Sequence, residues 1–335
     1  MTDFKLIPFK VEPTNDVVED IPPGIKMIKA PELWKQGYKG KGVVIAVVDS
    51  GCDVNHPNLK ERIIAKRNFV LSEETQDIVI DKSGHGTHVA GTIAASDNGS
   101  GVIGVAPEAD LVIVKVMEEF KSPSGKISYG ASNQVIIDAI HYCIEWNENG
   151  KRIDVINMSF GGSQYDPELH RAIKAAVNKG ILVVCAAGNE GDLFSEGDSS
   201  SEKDEYSYPG SHPEVVSVGA VKLDGKPMDF PNDFSNTNYE VDLVAPGVDI
   251  LSTLPGNTPD GKPNTGTMSG TSMACPHVAG AAALMINYCN EKFGRKLPEP
   301  EIYTQLIKRT DFREEDPKRI GNGLLDLSMG LHKFA

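Results

Sequence analysis

Continuous apolar runs alternate along this chain with segments of helical periodicity. The first run, 43–48, ends at the turn Asp49-Ser50-Gly51, as expected of a strand buried on both faces of a parallel sheet. Similar runs predict strands at 111–116, 153–158, 181–187 and 214–221, and helical patterns predict helices at about 131–147, 166–179, 271–292 and 298–309. This alternation predicts an α/β fold, a doubly wound and mainly parallel sheet with helices on both faces.

The N-terminal region lacks this pattern. Residues 1–23 are polar and include Pro8, Pro13, Pro22 and Pro23, which prevent long helices. We therefore predict an extended arm over 1–18, followed by a single domain over 19–335. The acidic, serine-rich segment 191–207 is predicted to be a surface loop.

Composition narrows the class of protein. The 335 residues include 33 Lys and Arg against 47 Asp and Glu, a net charge of −14, which argues against nucleic-acid and membrane partners. No apolar run approaches the roughly 18 residues of a membrane span, and the N-terminus has no signal-peptide pattern. Five cysteines, an odd number without C-x-x-C spacing, favour a reduced, cytoplasmic protein.

Polar groups follow several predicted strands, at the sheet edge where α/β proteins carry their sites. These groups are Asp49, Ser159 and Gly188-Asn189. Three motifs stand out: Asp49-Ser50-Gly51, the HGTHVAG segment at 85–91 and the GTSMACPHVAG segment at 270–280. Each alone is typical of a cap or of tight packing. Together they supply an acid, a base and a nucleophile in the order Asp, His, Ser, which is the order found in subtilisin.

On these motifs the chain resembles the subtilisin-family serine peptidases, and most of all the intracellular subtilisins of bacteria. The matching motifs run from about Gly24 to Gly323. The resemblance implies that Ser272 is the nucleophile and that His85 is the general base and then the acid. It implies that Asp49 holds the imidazole tautomer and stabilises the imidazolium.

The resemblance also implies an oxyanion hole and a peptide-binding cleft. The Asn189 side chain and the Ser272 backbone N–H match the family's oxyanion donors, with Thr271 in support. Ser159-Phe160-Gly161 resembles the edge that pairs with an extended peptide, and Ala186-Ala187-Gly188 resembles the opposite wall of the S1 pocket. We expect protein and peptide substrates with a bulky apolar residue in S1, while Glu190 near its rim would also admit Lys or Arg.

The family commonly binds calcium, and two sites are implied here. The first site would use a loop together with two partners, Asn58 and Glu19. The family usually has Asp and Gln at these two partner positions, so this chain departs from it there. The loop ligands are Ser96, Asn98, Ser100 and Val102. A weaker cation site would combine two carboxylates with nearby carbonyls; its residues are Glu240, Asp242, Gly210, His212 and Val215. The spare histidines His88 and His277 are interpreted as structural.

The arm carries the segment Leu6-Ile7-Pro8-Phe9, which resembles an element in the arms of intracellular subtilisins. It implies a zymogen in which the arm adds a strand along the substrate cleft. Pro8 lacks an N–H and would spoil a cleavable register. Activation would then require cleavage near Val18-Glu19, which frees Glu19 for the first calcium site.

Two alternatives remain open at this point. One is a secreted subtilisin whose leader has been trimmed, against which the short arm and odd cysteine count argue. The other is an inactive binding protein on the same fold, although no member of the triad is missing. A homodimer is also left open, since intracellular relatives often form one.

Overall fold

The computed structural model describes residues 3–6, 12–13, 21–73, 75–191, 204–226, 234–258, 261–312 and 315–331. Its strands are β1 Phe4–Lys5, β2 Glu12–Pro13, β3 Val44–Asp49, β4 Ile63–Asn68, β5 Asp110–Lys115, β6 Glu118–Lys121, β7 Ile127–Ala131, β8 Asn147–Glu148, β9 Lys151–Arg152, β10 Val155–Met158, β11 Leu182–Ala186, β12 Val216–Val221, β13 Leu243–Pro246, β14 Ile250–Asn257, β15 Pro263–Met268, β16 Thr310–Asp311 and β17 Leu324–Leu325. Its helices are α1 Pro23–Met27, α2 Ala30–Trp34, α3 His85–Ala94, α4 Asn133–Glu145, α5 Pro167–Asn178, α6 Thr271–Phe293, α7 Glu299–Ile307 and α8 Pro317–Ile320.

The main sheet runs β16-β17-β13-β12-β11-β10-β3-β5-β4, nine strands within the described residues. Every neighbouring pair is parallel except β16 with β17. Along β3, Ile45 and Val47 pack into one apolar cluster, while Ala46 and Val48 pack into the other. Because both faces are covered, the strand is apolar throughout, and the predicted doubly wound α/β fold is confirmed.

Helices cover the two faces of the sheet. α3 and α6 pack on each other and contribute to one cluster, and α4 packs on α5 in the other. The start of α5 is encoded locally: Asp166 accepts the Glu168 and Leu169 N–H groups, and Pro167 takes the first helical position. The predicted strands and helices are confirmed with boundary shifts of one to two residues. In the described part of the chain, no helix is both long and apolar enough to cross a membrane.

Two short pieces of the N-terminal arm pair with the domain. β1 joins the hairpin of β6 and β7, with Phe4 opposite Ala131, and Lys5 also bridges to Gly161. β2 adds to the hairpin of β14 and β15, where Glu12 is opposite Thr267. Most of the predicted surface loop 191–207 lies outside the described residues.

Candidate active site

Asp49 and His85 form a buried pair at the carboxyl edge of the sheet. Asp49 ends β3 and His85 begins α3, and their side chains are 0% and 1% exposed. The His85 Nδ1 lies 2.8 Å from Asp49 Oδ1, which also accepts the Ser50 N–H at 2.7 Å. Because the carboxylate contacts Nδ1, proton exchange with a reacting group would take place at Nε2 of the ring.

Ser272 lies at the N-terminal end of α6, at the same edge. Its hydroxyl donates to the Ser159 carbonyl at 2.8 Å, and Ser159 directly follows β10. The first N–H groups of a helix lack intrahelical acceptors, so the Ser272 N–H is available to a developing negative charge. Since α3 and α6 pack on each other, the fold brings the base and the hydroxyl to neighbouring helices.

The Asn189 side chain is oriented by Thr271. Its Oδ1 accepts the Thr271 N–H at 2.9 Å and the Thr271 hydroxyl at 2.6 Å. The Thr271 hydroxyl accepts the Gly188 N–H at 3.3 Å in turn. With the amide oxygen held, Nδ2 remains as the donor, and a side chain at Gly270 would come 3.0 Å from it. Asn189 and Ser272 thus present two donors beside each other, as an oxyanion hole requires.

The substrate-binding segments flank this site. Gly161 accepts the Lys5 N–H at 3.1 Å, and Phe160 packs edge-to-face on Phe4 with ring centroids 5.6 Å apart. Across the sheet, Ala186 ends β11, Ala187 donates to Val218, and Gly188 has a φ of +111° that favours glycine. Leu6 is 7% exposed beside β7, where its N–H donates to Tyr129. The residues Ile7, Pro8 and Phe9 lie outside the described residues.

Glu190, predicted near the S1 rim, has its carboxylate held by Asn236. The Asn236 Nδ2 donates to Glu190 Oε2 at 2.9 Å, and its Oδ1 accepts the Glu190 N–H at 2.7 Å. Both side chains converge on Gly188, because a Cβ there would contact each of them. Asn236 is a site residue that the sequence patterns did not reveal.

The spare histidines are buried and neutral. His88 Nε2 contacts the Ile250 carbonyl at 2.8 Å, and His277 Nδ1 contacts the Met273 carbonyl at 2.8 Å. Burial lowers the pKa of His88 to about 3 and that of His277 to about 4. Both rings support the core between the helices, in agreement with the structural interpretation.

The loop predicted for the first calcium site surrounds the Asn58 amide. Asn58 Nδ2 donates to Ser96 O at 3.4 Å, to Asn98 Oδ1 at 3.0 Å and to Ser100 O at 2.7 Å. Three oxygens assigned to the cation thus converge on one point. In this structure the Asn58 amide nitrogen faces that point. Asn58 Oδ1 is buried without a hydrogen-bond partner among the described residues.

This oxygen set fits a hard cation such as Ca²⁺. Turning the Asn58 amide would aim its unpartnered oxygen at the same point and remove the competing N–H donors. Val102 is buried at the end of the loop, and Glu19 lies outside the described residues. Within the described chain, no three His, Cys, Asp or Glu side chains gather into a metal cluster.

At the second predicted cation site, the Asp242 carboxylate accepts hydrogen bonds from within the protein. Asp242 Oδ2 accepts the Ser217 N–H at 2.8 Å, and Oδ1 accepts the Tyr303 hydroxyl at 2.6 Å. The His212 carbonyl accepts the Val215 N–H, and burial raises the pKa of Asp242 to about 6. Both Asp242 oxygens are therefore already engaged in the interior. The nearby Glu240 carboxylate adds to this rise in the pKa of Asp242.

Asp81 was also missed by the sequence patterns. Its buried carboxylate accepts the hydroxyl of Ser50, which follows Asp49, and the hydroxyl of Thr87, which lies two residues after His85. The available signal was an acidic residue just before a helix whose cap position, Gly84, has no side chain.

Comparisons with known proteins agree with this geometry. The model of the subtilase family matches residues 40–323. The chain is 52% identical to "Intracellular serine protease" of Paenibacillus polymyxa over 96% of its length and 90% of that protein. It is 46% identical to "Major intracellular serine protease" of Bacillus subtilis (strain 168), over 97% and 94%. It is 44% identical to subtilisin E of the same strain, over 82% of this chain and 63% of that protein. A family match over most of the chain and relatives at this identity establish that the chain belongs to the subtilase family and is a serine peptidase.

Proposed function

We propose that this protein is a cytoplasmic serine endopeptidase, made as a precursor whose N-terminal arm blocks its own substrate cleft. The hydrolytic activity rests above all on the 2.8 Å contact between His85 and Asp49 beside the Ser272 helix. The names of the two intracellular relatives support this location, as do the five buried cysteines, which form no disulfides.

The chemistry follows from the positions of the side chains. His85 takes the Ser272 proton as the hydroxyl attacks the peptide carbonyl, and Asp49 stabilises the resulting imidazolium. Asn189 Nδ2 and the Ser272 N–H then bind the oxyanion. His85 returns the proton to the leaving amine, and a water molecule repeats the sequence on the acyl-enzyme.

Hydrolysis is tested by labelling the processed enzyme with a fluorophosphonate probe. We expect label on the wild type and none on Ser272→Ala, which should fold normally. A Ser272→Ala protein that cleaves casein above a mock preparation would refute the nucleophile assignment.

Two described pieces of the arm support autoinhibition. Phe4 and Lys5 lie between β7 and Gly161, where a peptide substrate would pair. Glu12 and Pro13 pair with β15, which leads to the Ser272 helix. The arm is thus attached at two places, one beside the predicted peptide-binding edge and one on the strand that leads to the Ser272 helix.

The antiparallel register indicates where the arm meets the nucleophile. Lys5 is opposite Gly161, so each step forward along the arm is one step back along 159–161. This direction leads from Gly161 toward Ser159, which accepts the Ser272 hydroxyl. The missing N–H of Pro8 supports a role in preventing cleavage of the arm.

We further propose that cleavage near Val18-Glu19 activates the enzyme and releases Glu19 for calcium binding. Asn98 and the carbonyls of Ser96 and Ser100 would hold the ion, and Asn58 would turn its amide oxygen inward. Bound calcium stabilises the native state by mass action. An unchanged melting temperature after chelation of the processed enzyme would refute a tight site.

Autoinhibition is tested with a shortened chain that begins at Glu19. We expect a higher initial rate than in the full chain before processing, and equal rates would refute the proposal. Purified Ser272→Ala should not trim itself, and Pro8→Ala should hasten activation because the arm becomes a better substrate. N-terminal mass spectrometry over time follows both.

A further inference from the structure

Asp81 lies in the loop before α3, 7% exposed, and its carboxylate is surrounded by donors. Its Oδ1 accepts from the Ser50 hydroxyl at 2.9 Å, the Gly84 N–H at 2.9 Å, and the Ser83 N–H and hydroxyl at 3.1 and 3.0 Å. Its Oδ2 accepts the Thr87 N–H at 2.8 Å and the Thr87 hydroxyl at 2.7 Å. One side chain therefore joins three segments of the active-site region.

The first consequence concerns the start of α3. The first N–H groups of a helix need external acceptors, and the usual source is the cap residue. Here the cap is Gly84, whose φ of +82° favours glycine and which has no side chain to offer. Asp81 takes over this task and places its negative charge at the positive end of the helix dipole. His85 is the first residue of the helix that Asp81 caps.

The second consequence concerns Asp49. The Ser50 hydroxyl donates to Asp81 and accepts the Gly86 N–H at 3.0 Å, while the Ser50 N–H donates to Asp49. The strand end carrying Asp49 and the helix carrying His85 are thus tied to the same carboxylate. Lys115 holds the loop that carries Asp81, because its buried Nζ donates to the Ile80 carbonyl at 2.9 Å.

We propose that Asp81 is a positioning residue for catalysis, which sets the alignment of the Asp49–His85 pair through Ser50 and Thr87. This proposal rests on the serine peptidase activity alone and does not depend on the proposed role of the N-terminal arm. In Asp81→Asn one acceptor oxygen becomes an NH₂ group that faces other donors. The segments bonded to Asp81, which carry Asp49 and His85, therefore have to shift. A displacement of about 1 Å can cost roughly 100-fold, and we expect kcat to fall about 10- to 100-fold with KM changed less than threefold.

The experiment compares wild type, Asp81→Asn and Asp77→Asn, in which an exposed aspartate of the same loop serves as the matched control. Each tagged variant is processed by a trace of untagged wild type, which is then removed. The measurements are kcat and KM on a chromogenic peptide, the rate of Ser272 phosphonylation, and the downfield proton resonance of the His85–Asp49 hydrogen bond. A purely structural role would lower the melting temperature and leave these three readouts unchanged in the folded protein.

We expect Asp81→Asn to lose kcat and phosphonylation rate and to shift the proton resonance, while Asp77→Asn matches the wild type. Equal kcat and resonance in both variants would overturn the proposal. If Asp81→Asn does not fold, Thr87→Val answers the question, because it removes the hydroxyl that binds Oδ2 and keeps the carboxylate, although the Asp53 N–H also loses its acceptor. Unchanged kcat in Thr87→Val would also overturn the proposal. An inactive wild type would instead refute the proposed function.

Discussion

Replacing Phe4 by alanine should open the substrate cleft of the unprocessed chain. The Phe4 side chain is fully buried against Phe160, with the rings edge-to-face. Burying a phenylalanine contributes about 1.5–3 kcal/mol, and such a ring pair adds about 0.5–1.5 kcal/mol. The free energy of docking the arm should therefore weaken by about 2–4.5 kcal/mol. This raises the population of the open form roughly 30- to 1,600-fold, until the cleft is fully open.

The assay is the initial rate on a short chromogenic peptide, measured before mass spectrometry detects trimming and normalised to active sites. Lys5→Ala is the matched control, because the Lys5 side chain is exposed and its backbone N–H keeps the bond to Gly161. We expect a large rise for Phe4→Ala and little change for Lys5→Ala. Equal initial rates in wild type and both variants would refute the reasoning.

Three further predictions concern stability and thiol chemistry. Asn58→Asp should bind calcium more tightly than the wild type. In chelator its melting temperature should fall, because the substitution removes the N–H donors that hold the loop oxygens. A lower melting temperature both with calcium and in chelator would contradict this. Burial raises the pKa of Glu299 to about 7, so ionising it in the folded state costs stability as pH rises above the unfolded value of about 4.5. Glu299→Gln should therefore gain up to about 3 kcal/mol relative to wild type between pH 4.5 and 7.5 in urea unfolding, whereas exposed Glu145→Gln should show no such trend. Mercurials should inhibit the enzyme faster through Cys52 than through Cys275. Cys52 lines a cavity of about 220 Å³, whereas the Cys275 Sγ is fully buried beside Asn157. Inactivation kinetics of single Cys→Ser variants test this order, and the reverse order would contradict it.

Local sequence patterns determined the fold and the chemistry-bearing residues. Strands covered on both faces must be apolar throughout, so the run ending at Asp49 could be recognised without its partners. The cap of α5 is encoded within three residues of Asp166. Because parallel strands share one carboxyl edge, Asp49 and Ser159 were also expected to lie close together.

Tertiary structure decided which polar partners each side chain met. The Asp242 carboxylate accepts the hydroxyl of Tyr303, 61 residues away, and the Asn58 amide nitrogen faces a loop about 40 residues on. Asp81 gained its role only because folding brought Ser50 and Thr87 to either side of it. Periodicity and composition record burial and local conformation, whereas a hydrogen bond between distant residues depends on atomic placement after packing. For this reason the fold and the triad could be predicted from local patterns, whereas their supporting contacts emerged with packing.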